Sequence, residues 1–379
     1  MMKSHFLIEI LVGSCTNIGD ALMLYSIVQQ LNNAHNLATL PSIADYQTRA
    51  RLGLLQKFGS SRLGDNLSAL LGNVIPVGIQ AKYGLVTEKQ IQGILDAKGF
   101  AYGDSWGVNK VRRMAKQTVR WKKQGKRIVL LPQTYGPFEN NQIRNGFLKI
   151  LENTHLVYAR DKASYDHIRH IAGECAHLRS APDFTSLVQG QRPASFKPQS
   201  RQACIIPNHR MLDSSSPEVS ARYLSFLKLC FQCFSEREMN PFVLLHDIKW
   251  DYSVALSLQQ ELGRTIPIVH DDNPVYVKGI IGSCHLVLSS RFHGLINALS
   301  QGVPCLATAW THKFRELMMS YHGLDFLVHP FIEKESLLEK IRLLDEPASR
   351  QSIIDRIKKT CERDVKRIRQ MWEEIEEIM

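Results

Sequence analysis

The stretch Leu288-Ser289-Ser290-Arg291-Phe292-His293-Gly294 concentrates residue types that do chemistry. Arg291 supplies a planar guanidinium that stays charged at any working pH, and His293 an imidazole that exchanges a proton near neutrality. Gly294 lets another backbone or a ligand come close. A lone histidine more often fills a structural role. This one sits where an apolar run turns polar and a helix is expected at once, over 295–301, which strengthens the case for a general acid/base beside a fixed cation and leaves the structural role open. Gly302-Val303-Pro304 follows, then a further apolar run, and Lys313 adds a second cation at the same rim.

Four more loops carry candidate groups. Gly13-Ser14-Cys15-Thr16-Asn17-Ile18-Gly19-Asp20 lies between an apolar run and a helix expected over 21–31. Free amides and the helix dipole make such a turn a ready anion site. Asn17 and Asp20 there either hydrogen-bond a sugar or phosphate, or cap the helix. Pro132-Gln133-Thr134-Tyr135-Gly136-Pro137 forms a rigid turn that presents Gln133 and Tyr135. In Arg160-Asp161-Lys162-Ala163-Ser164, Arg160 either grips a carboxylate or phosphate bidentately or belongs to a structural Arg–Asp pair. Asp183, in Pro182-Asp183-Phe184, either meets a hydroxyl or caps.

The elements that must position these loops alternate between β-branched apolar runs and amphipathic segments of helical period, the pattern of parallel sheets covered by helices. Strands are expected over 6–12, 73–77, 99–103, 127–131 and 156–159, and again over 203–207, 242–246, 266–269, 286–289 and 305–309. The polar, proline-bearing stretch 189–200 reads as a linker. The expected division is 1–188, an N-terminal Rossmann-like domain; 189–200, the linker; 201–348, a C-terminal Rossmann-like domain; and 349–379, a helix packing across the domains. Ligands of open α/β sheets lie beyond the carboxyl ends of the strands. A site in a cleft between two such domains is therefore expected.

Composition narrows the partners. Lysine and arginine (47) exceed aspartate and glutamate (36) by 47 − 36 = +11. The excess favours anionic partners: phosphate esters, acidic glycans, nucleic acid or an anionic membrane face. No aromatic-rich basic motif of a nucleic-acid module is present, so no nucleic-acid partner is expected. Nine of the basic residues fall within 110–127 (Lys110, Arg112, Arg113, Lys116, Arg120, Lys122, Lys123, Lys126 and Arg127) with no acidic residue between Asp104 and Glu139. A helix over 109–126 would bury Val111, Met114, Ala115, Thr118 and Val119. Its cations would face solvent or the inner face of a membrane. No apolar run has the length of a membrane span. Glu9 interrupts the apolar run 6–12, which reads as a buried strand rather than a signal, so a cytoplasmic protein is expected. The eight cysteines are scattered through apolar stretches and read as reduced core thiols, the Cys230/Cys233 pair included.

Taken in order, these loops resemble those of the polysaccharide pyruvyl transferase family. Asn17-Ile18-Gly19-Asp20 matches its N-x-G-D loop, and Gln133-Thr134-Tyr135-Gly136-Pro137 resembles its glycine–proline turn. Arg160-Asp161-Lys162-Ala163-Ser164 resembles its R-D-x-x-S element, Pro182-Asp183 its P-D element, and Ser289 to Gly294 its S-x-R-x-H-G element, followed by Gly302-Val303-Pro304 and Lys313. The resemblance implies an α/β fold of two Rossmann-like domains facing across a cleft, similar to GT-B glycosyltransferases. It implies an enzyme of polysaccharide or exopolysaccharide biosynthesis that moves pyruvate from phosphoenolpyruvate onto a sugar as a ketal and releases phosphate. His293 and Arg291 would then be catalytic, with Arg160, Arg291 and Lys313 holding the donor. Asn17, Asp20, Gln133 and Asp183 would serve the acceptor or shape loops. No cofactor and no metal are expected. The acceptor would be a sugar or oligosaccharide, lipid-linked in some pathways of the family. The run 98–107 departs from the family's compact glycine cluster. Two other readings stand beside this one: a GT-B-type glycosyltransferase using a nucleotide sugar, and a non-catalytic glycan-binding assembly protein.

Overall fold

A computed structural model describes residues 6–59, 74–199, 201–213, 215–308 and 311–379 of the chain. Two wholly parallel sheets organise them. The first has eight strands: β1 Leu7–Leu11, β2 Asn36–Thr39, β3 Leu55–Lys57, β4 Leu85–Val86, β5 Gly93–Asp96, β6 Arg127–Gln133, β7 Leu156–Ala159 and β8 Leu178–Ser180, in the order β4-β3-β2-β1-β5-β6-β7-β8. The second has five: β9 Ala203–Ile206, β10 Phe242–Leu244, β11 Ile268–Val269, β12 Leu286–Ser289 and β13 Cys305–Ala307, in the order β11-β10-β9-β12-β13.

Central strands such as β6, β7, β9 and β12 are buried along nearly their whole length. Helices on both faces of a parallel sheet demand this, and it explains their continuous apolar runs. In each sheet the strand order reverses at one place, between β1 and β5 and between β9 and β12. Loops leaving the carboxyl ends of neighbouring strands diverge there and leave room for a ligand. The loops at these two places are those after Leu11 and Asp96 in the first sheet, and those after Ile206 and Ser289 in the second.

Two expected strands are corrected. The one placed at 99–103 lies earlier, as β5, because Ile94 and Leu95 supply the core contacts while Gly99, at φ +71°, turns the chain. Of 73–77, Asn73 lies outside the described residues. A turn follows it, and a helix, Val77–Tyr83, begins where a strand was expected, with Val77 and Tyr83 exposed.

Two compact units divide the chain: Met1–Cys15, Met23–Phe184 and Arg367–Met379 form one, and Thr16–Leu22 with Thr185–Lys366 the other. Two details differ from a division at residues 188 and 201. Residues 16–22 go with the second unit because Ile18 is part of its apolar core and donates its N–H to the His246 carbonyl at 3.0 Å. The last helix, Pro347–Ile378, is unbroken. Its Ile353 and Ile357 join the second core, and Cys361 Sγ meets the Leu299 carbonyl at 3.1 Å. Within the first unit, Glu374 near its end accepts from Tyr158 Oη at 2.5 Å and Arg179 Nε at 2.9 Å.

The basic helix is Val108–Lys123 and buries Val111, Met114, Ala115, Thr118 and Trp121, with Trp121 in the place expected for Val119. Lys126 is not part of the outward cationic face. It is buried, donates to the carbonyls of Glu88 and Ile91, and desolvation lowers its pKa to about 8. All eight cysteines are free, and burial pushes the Cys230 and Cys233 thiols up, Cys233 to about 11. Among the described residues no helix is long and apolar enough to cross a membrane.

Candidate functional site

In the second unit, β12 ends at Ser289 and the chain turns sharply into the helix Phe292–Leu299. The turn is closed by one hydroxyl: Ser289 Oγ accepts the Arg291 N–H at 3.0 Å and donates to the Arg291 carbonyl at 2.8 Å. It is also tied to the end of β9. Asn208 Nδ2 donates to the Ser290 carbonyl at 2.9 Å, and Tyr223 Oη donates to Ser290 Oγ at 2.8 Å while accepting the Asn208 N–H at 3.0 Å. Gly294 serves this turn rather than a ligand, since a Cβ there would stand 2.4 Å from Ser289 Oγ.

The turn aims Arg291 and His293. Arg291 Nη2 donates to Asp251 Oδ1, and Asp251 is wholly buried and also accepts the N–H groups of His209 and Asp247, both at 3.1 Å. Burial raises the Asp251 pKa, and Arg291 pulls against that shift. The imidazole of His293 packs on the first turn of the helix Ile18–Leu31, where a Cβ on Gly19 would lie 2.3 Å from His293 Nδ1. Asn17 caps that helix: its Oδ1 accepts the N–H of Gly19 at 2.9 Å and of Asp20 at 3.4 Å. His246, at the end of β10, accepts the Ile18 N–H on its carbonyl, and its side chain is buried. Desolvation, with the nearby charges of Arg291 and His293, holds its pKa well below that of an ordinary imidazole. Lys313 is the second residue of the helix His312–Ser320, with Nζ 5.5 Å from the centre of the Phe292 ring. The second unit thus gathers Asn17, Arg291, His293 and Lys313 around one turn, with Asp20 half-buried in the same first helical turn.

In the first unit, polar groups collect where β5 and β6 end. Asp96 is wholly buried, receives the hydroxyl of Tyr102, and is paired with Lys98 Nζ at 3.2 Å. Lys98 Nζ also reaches Tyr102 Oη at 3.2 Å, and burial raises the Tyr102 pKa far above the phenolic norm, with Asp96 adding to the shift. Gln133 Nε2 donates to the Asp96 carbonyl at 2.9 Å. Arg160 donates to Asp183 Oδ2 at 2.9 Å and to Thr134 Oγ1 at 2.8 Å, and the Arg160 and Asp183 side chains are only 4% and 2% exposed. Arg160 is thus paired with Asp183, and Asp161 caps the helix Lys162–Ala172 through the Ser164 N–H.

Among the residues of these two clusters, Asp96, Lys98, Tyr102, His246 and Asp251 escape sequence reasoning. Asp96 and His246 follow apolar runs directly, which is the signal that could have found them. Asp251 lies inside a helix, Ile248–Leu262, and carries none.

The sequence pattern of polysaccharide pyruvyl transferases matches residues 17–312. The chain belongs to that family. The matched span contains every candidate named above except Lys313, which falls one residue beyond it. No curated protein matches this pyruvyl transferase family member. Solved structures agree on its fold, which is that of GT-B glycosyltransferases and related epimerases. Anabaena HepE in complex with UDP and glucose is 14% identical, with 98% of this chain and 99% of that one covered at a TM-score of 0.58. A glycosyltransferase from Rickettsia africae is 12% identical over 99% of this chain and 98% of that one, also at 0.58. UDP-GlcNAc 2-epimerase from Neisseria meningitidis bound to UDP-GlcNAc is 10% identical over 93% and 94%, at 0.57.

Proposed function

We propose that the protein transfers pyruvate from phosphoenolpyruvate to two hydroxyls of a sugar, as a ketal, and releases inorganic phosphate. The observation that carries this reading is the Ser289–Gly294 turn, which sets a clamped guanidinium beside an imidazole in a chain of the pyruvyl transferase family. The donor brings a carboxylate and a phosphate, and Arg291 and Lys313 are the cations for them. In the first unit Arg160 holds Asp183 and Thr134.

In the reaction a proton goes to the methylene carbon of the donor, and a sugar hydroxyl attacks the neighbouring carbon. The C–O bond to phosphate then breaks, and a second hydroxyl closes the ketal. The two hydroxyls give up two protons, one balancing the methyl group and one leaving with phosphate. His293 is the group for these transfers, because an imidazole donates and accepts near neutral pH.

The test is incubation with phosphoenolpyruvate and a panel of free and lipid-linked oligosaccharides, following phosphate release and the mass of the glycan. Phosphate release with a pyruvyl mass gained by the acceptor is the expected result. Sugar transfer from a nucleotide sugar, with no use of phosphoenolpyruvate, would replace this reading by the glycosyltransferase one. Binding of glycans without turnover of either donor would favour an assembly protein.

A further inference from the structure

We propose that His246 Nε2, with Arg291 Nε, forms a subsite for a phosphate group, and that in the reaction proposed above it receives the phosphate of the donor. Buried polar atoms in folded proteins are nearly always hydrogen-bonded, so an exception asks what completes it. His246 Nε2 and Arg291 Nε are both buried and have no hydrogen-bond partner among the described residues. Arg291 and the N–H of Asp247, the residue after His246, meet on the Asp251 carboxylate, and His246 and His293 flank the same helical turn: Ile18 donates to the His246 carbonyl, and the His293 ring lies against the next residue, Gly19.

The Asp251 carboxylate beside them does not complete them. Asp251 is already occupied by Arg291 Nη2 and the N–H groups of His209 and Asp247. Two donors without partners, His246 Nε2 and Arg291 Nε, thus stand against one such acceptor, Asp247 Oδ1. A group with several acceptor oxygens fits the two donors, and phosphate is the simplest. A neutral imidazole suits the place. It offers one N–H without setting another charge against Arg291 and His293.

The test uses inorganic phosphate as the probe, binding to the full-length protein being read by calorimetry. His246→Gln keeps an N–H near the position of Nε2. His246→Asn offers one only at the position of Nδ1, and His246→Phe offers none. Gln should bind phosphate within about threefold of the native protein, and Asn and Phe about tenfold or more weaker, the loss of one hydrogen bond to a charged group. The KM for phosphoenolpyruvate should follow the same order, with kcat changing less. Should Phe not fold, Gln against Asn decides.

No phosphate binding by the native protein would overturn the subsite. So would native-like binding by Asn, which would mean that Nε2 pairs within the protein, for instance with the equally unpartnered Asp247 Oδ1. Native binding of phosphate without turnover of phosphoenolpyruvate leaves the subsite standing and removes the reaction. Turnover that His246→Asn leaves unchanged in KM does the reverse.

Discussion

His293 and Arg291 were legible because they are two residues apart on one turn, so their spacing in the chain is their spacing in space. Their supports were not. Asp251 lies 40 residues from Arg291, and His246 and Gly19 reach His293 only through the folded chain. Asn17 showed the opposite difficulty: its residue type fitted a ligand group and a helix cap equally, and hydrogen bonds to Gly19 and Asp20 identify the cap. Arg160 likewise fitted two roles, and its ion-pair partner, Asp183, lies 23 residues on, where no spacing could name it. The assignment of His293 as acid/base makes a direct prediction. His293→Ala should lower kcat by roughly 100-fold or more, the ordinary contribution of general acid/base catalysis. Far-ultraviolet circular dichroism should be unchanged. A folded variant with near-native turnover would remove His293 from the role.

At the level of elements, strands buried on both faces announce themselves and short edge strands do not. β7 and β12 fall where continuous apolar runs place them, since nothing but a two-sided core requires such runs. β3 reads Leu-Gln-Lys and β4 has two residues, so neither offers a period to detect. The loop after β5 misled because its glycines and aromatics look like a strand. In fact Tyr102 turns inward to Asp96, and Gly103 packs so closely that a Cβ would sit 2.5 Å from the Gly136 carbonyl oxygen. The start of the helix Ile18–Leu31 gives the prediction at this scale. Alanine at Gly19 suits the helix better than glycine, but its methyl would occupy the space of the His293 ring, 2.3 Å from Nδ1. A side chain yields to such a clash before a hydrogen-bonded backbone does, so the helix should survive and the imidazole should be displaced. Gly19→Ala should keep its thermal midpoint and lose about tenfold or more in kcat, since misplacing a reacting group by about 1 Å can cost 100-fold. Retained activity at unchanged stability would show that His293 does not need this position.

Across the whole molecule the excess of +11 charges has a distribution as well as a size. The helix Val108–Lys123 turns Val111, Met114, Ala115, Thr118 and Trp121 to the core of the first unit and leaves Lys110, Arg112, Arg113, Lys116, Lys122 and Lys123 exposed. Two of the nine basic residues of this stretch drop out as outward charges, Lys126 because it is buried and Arg120 because it pairs with Glu88 at 2.9 Å. What is left is still a one-signed face, and the bland account of it is solubility. The alternative is contact with an anionic bilayer, which would suit an acceptor carried on a membrane lipid. Each lysine or arginine near such a surface adds about 1 kcal/mol, and salt removes most of it once the Debye length shrinks to a few ångström. Co-sedimentation with anionic vesicles separates the two accounts. The native protein should pellet at low salt and be released at high salt. A variant with Arg112, Arg113, Lys116 and Lys123 changed to Gln should stay in the supernatant at both. Arg120 is left in place so that its pair with Glu88, and with it the packing of the helix, is not disturbed. Equal pelleting of the two proteins at low salt would assign the face to solubility alone.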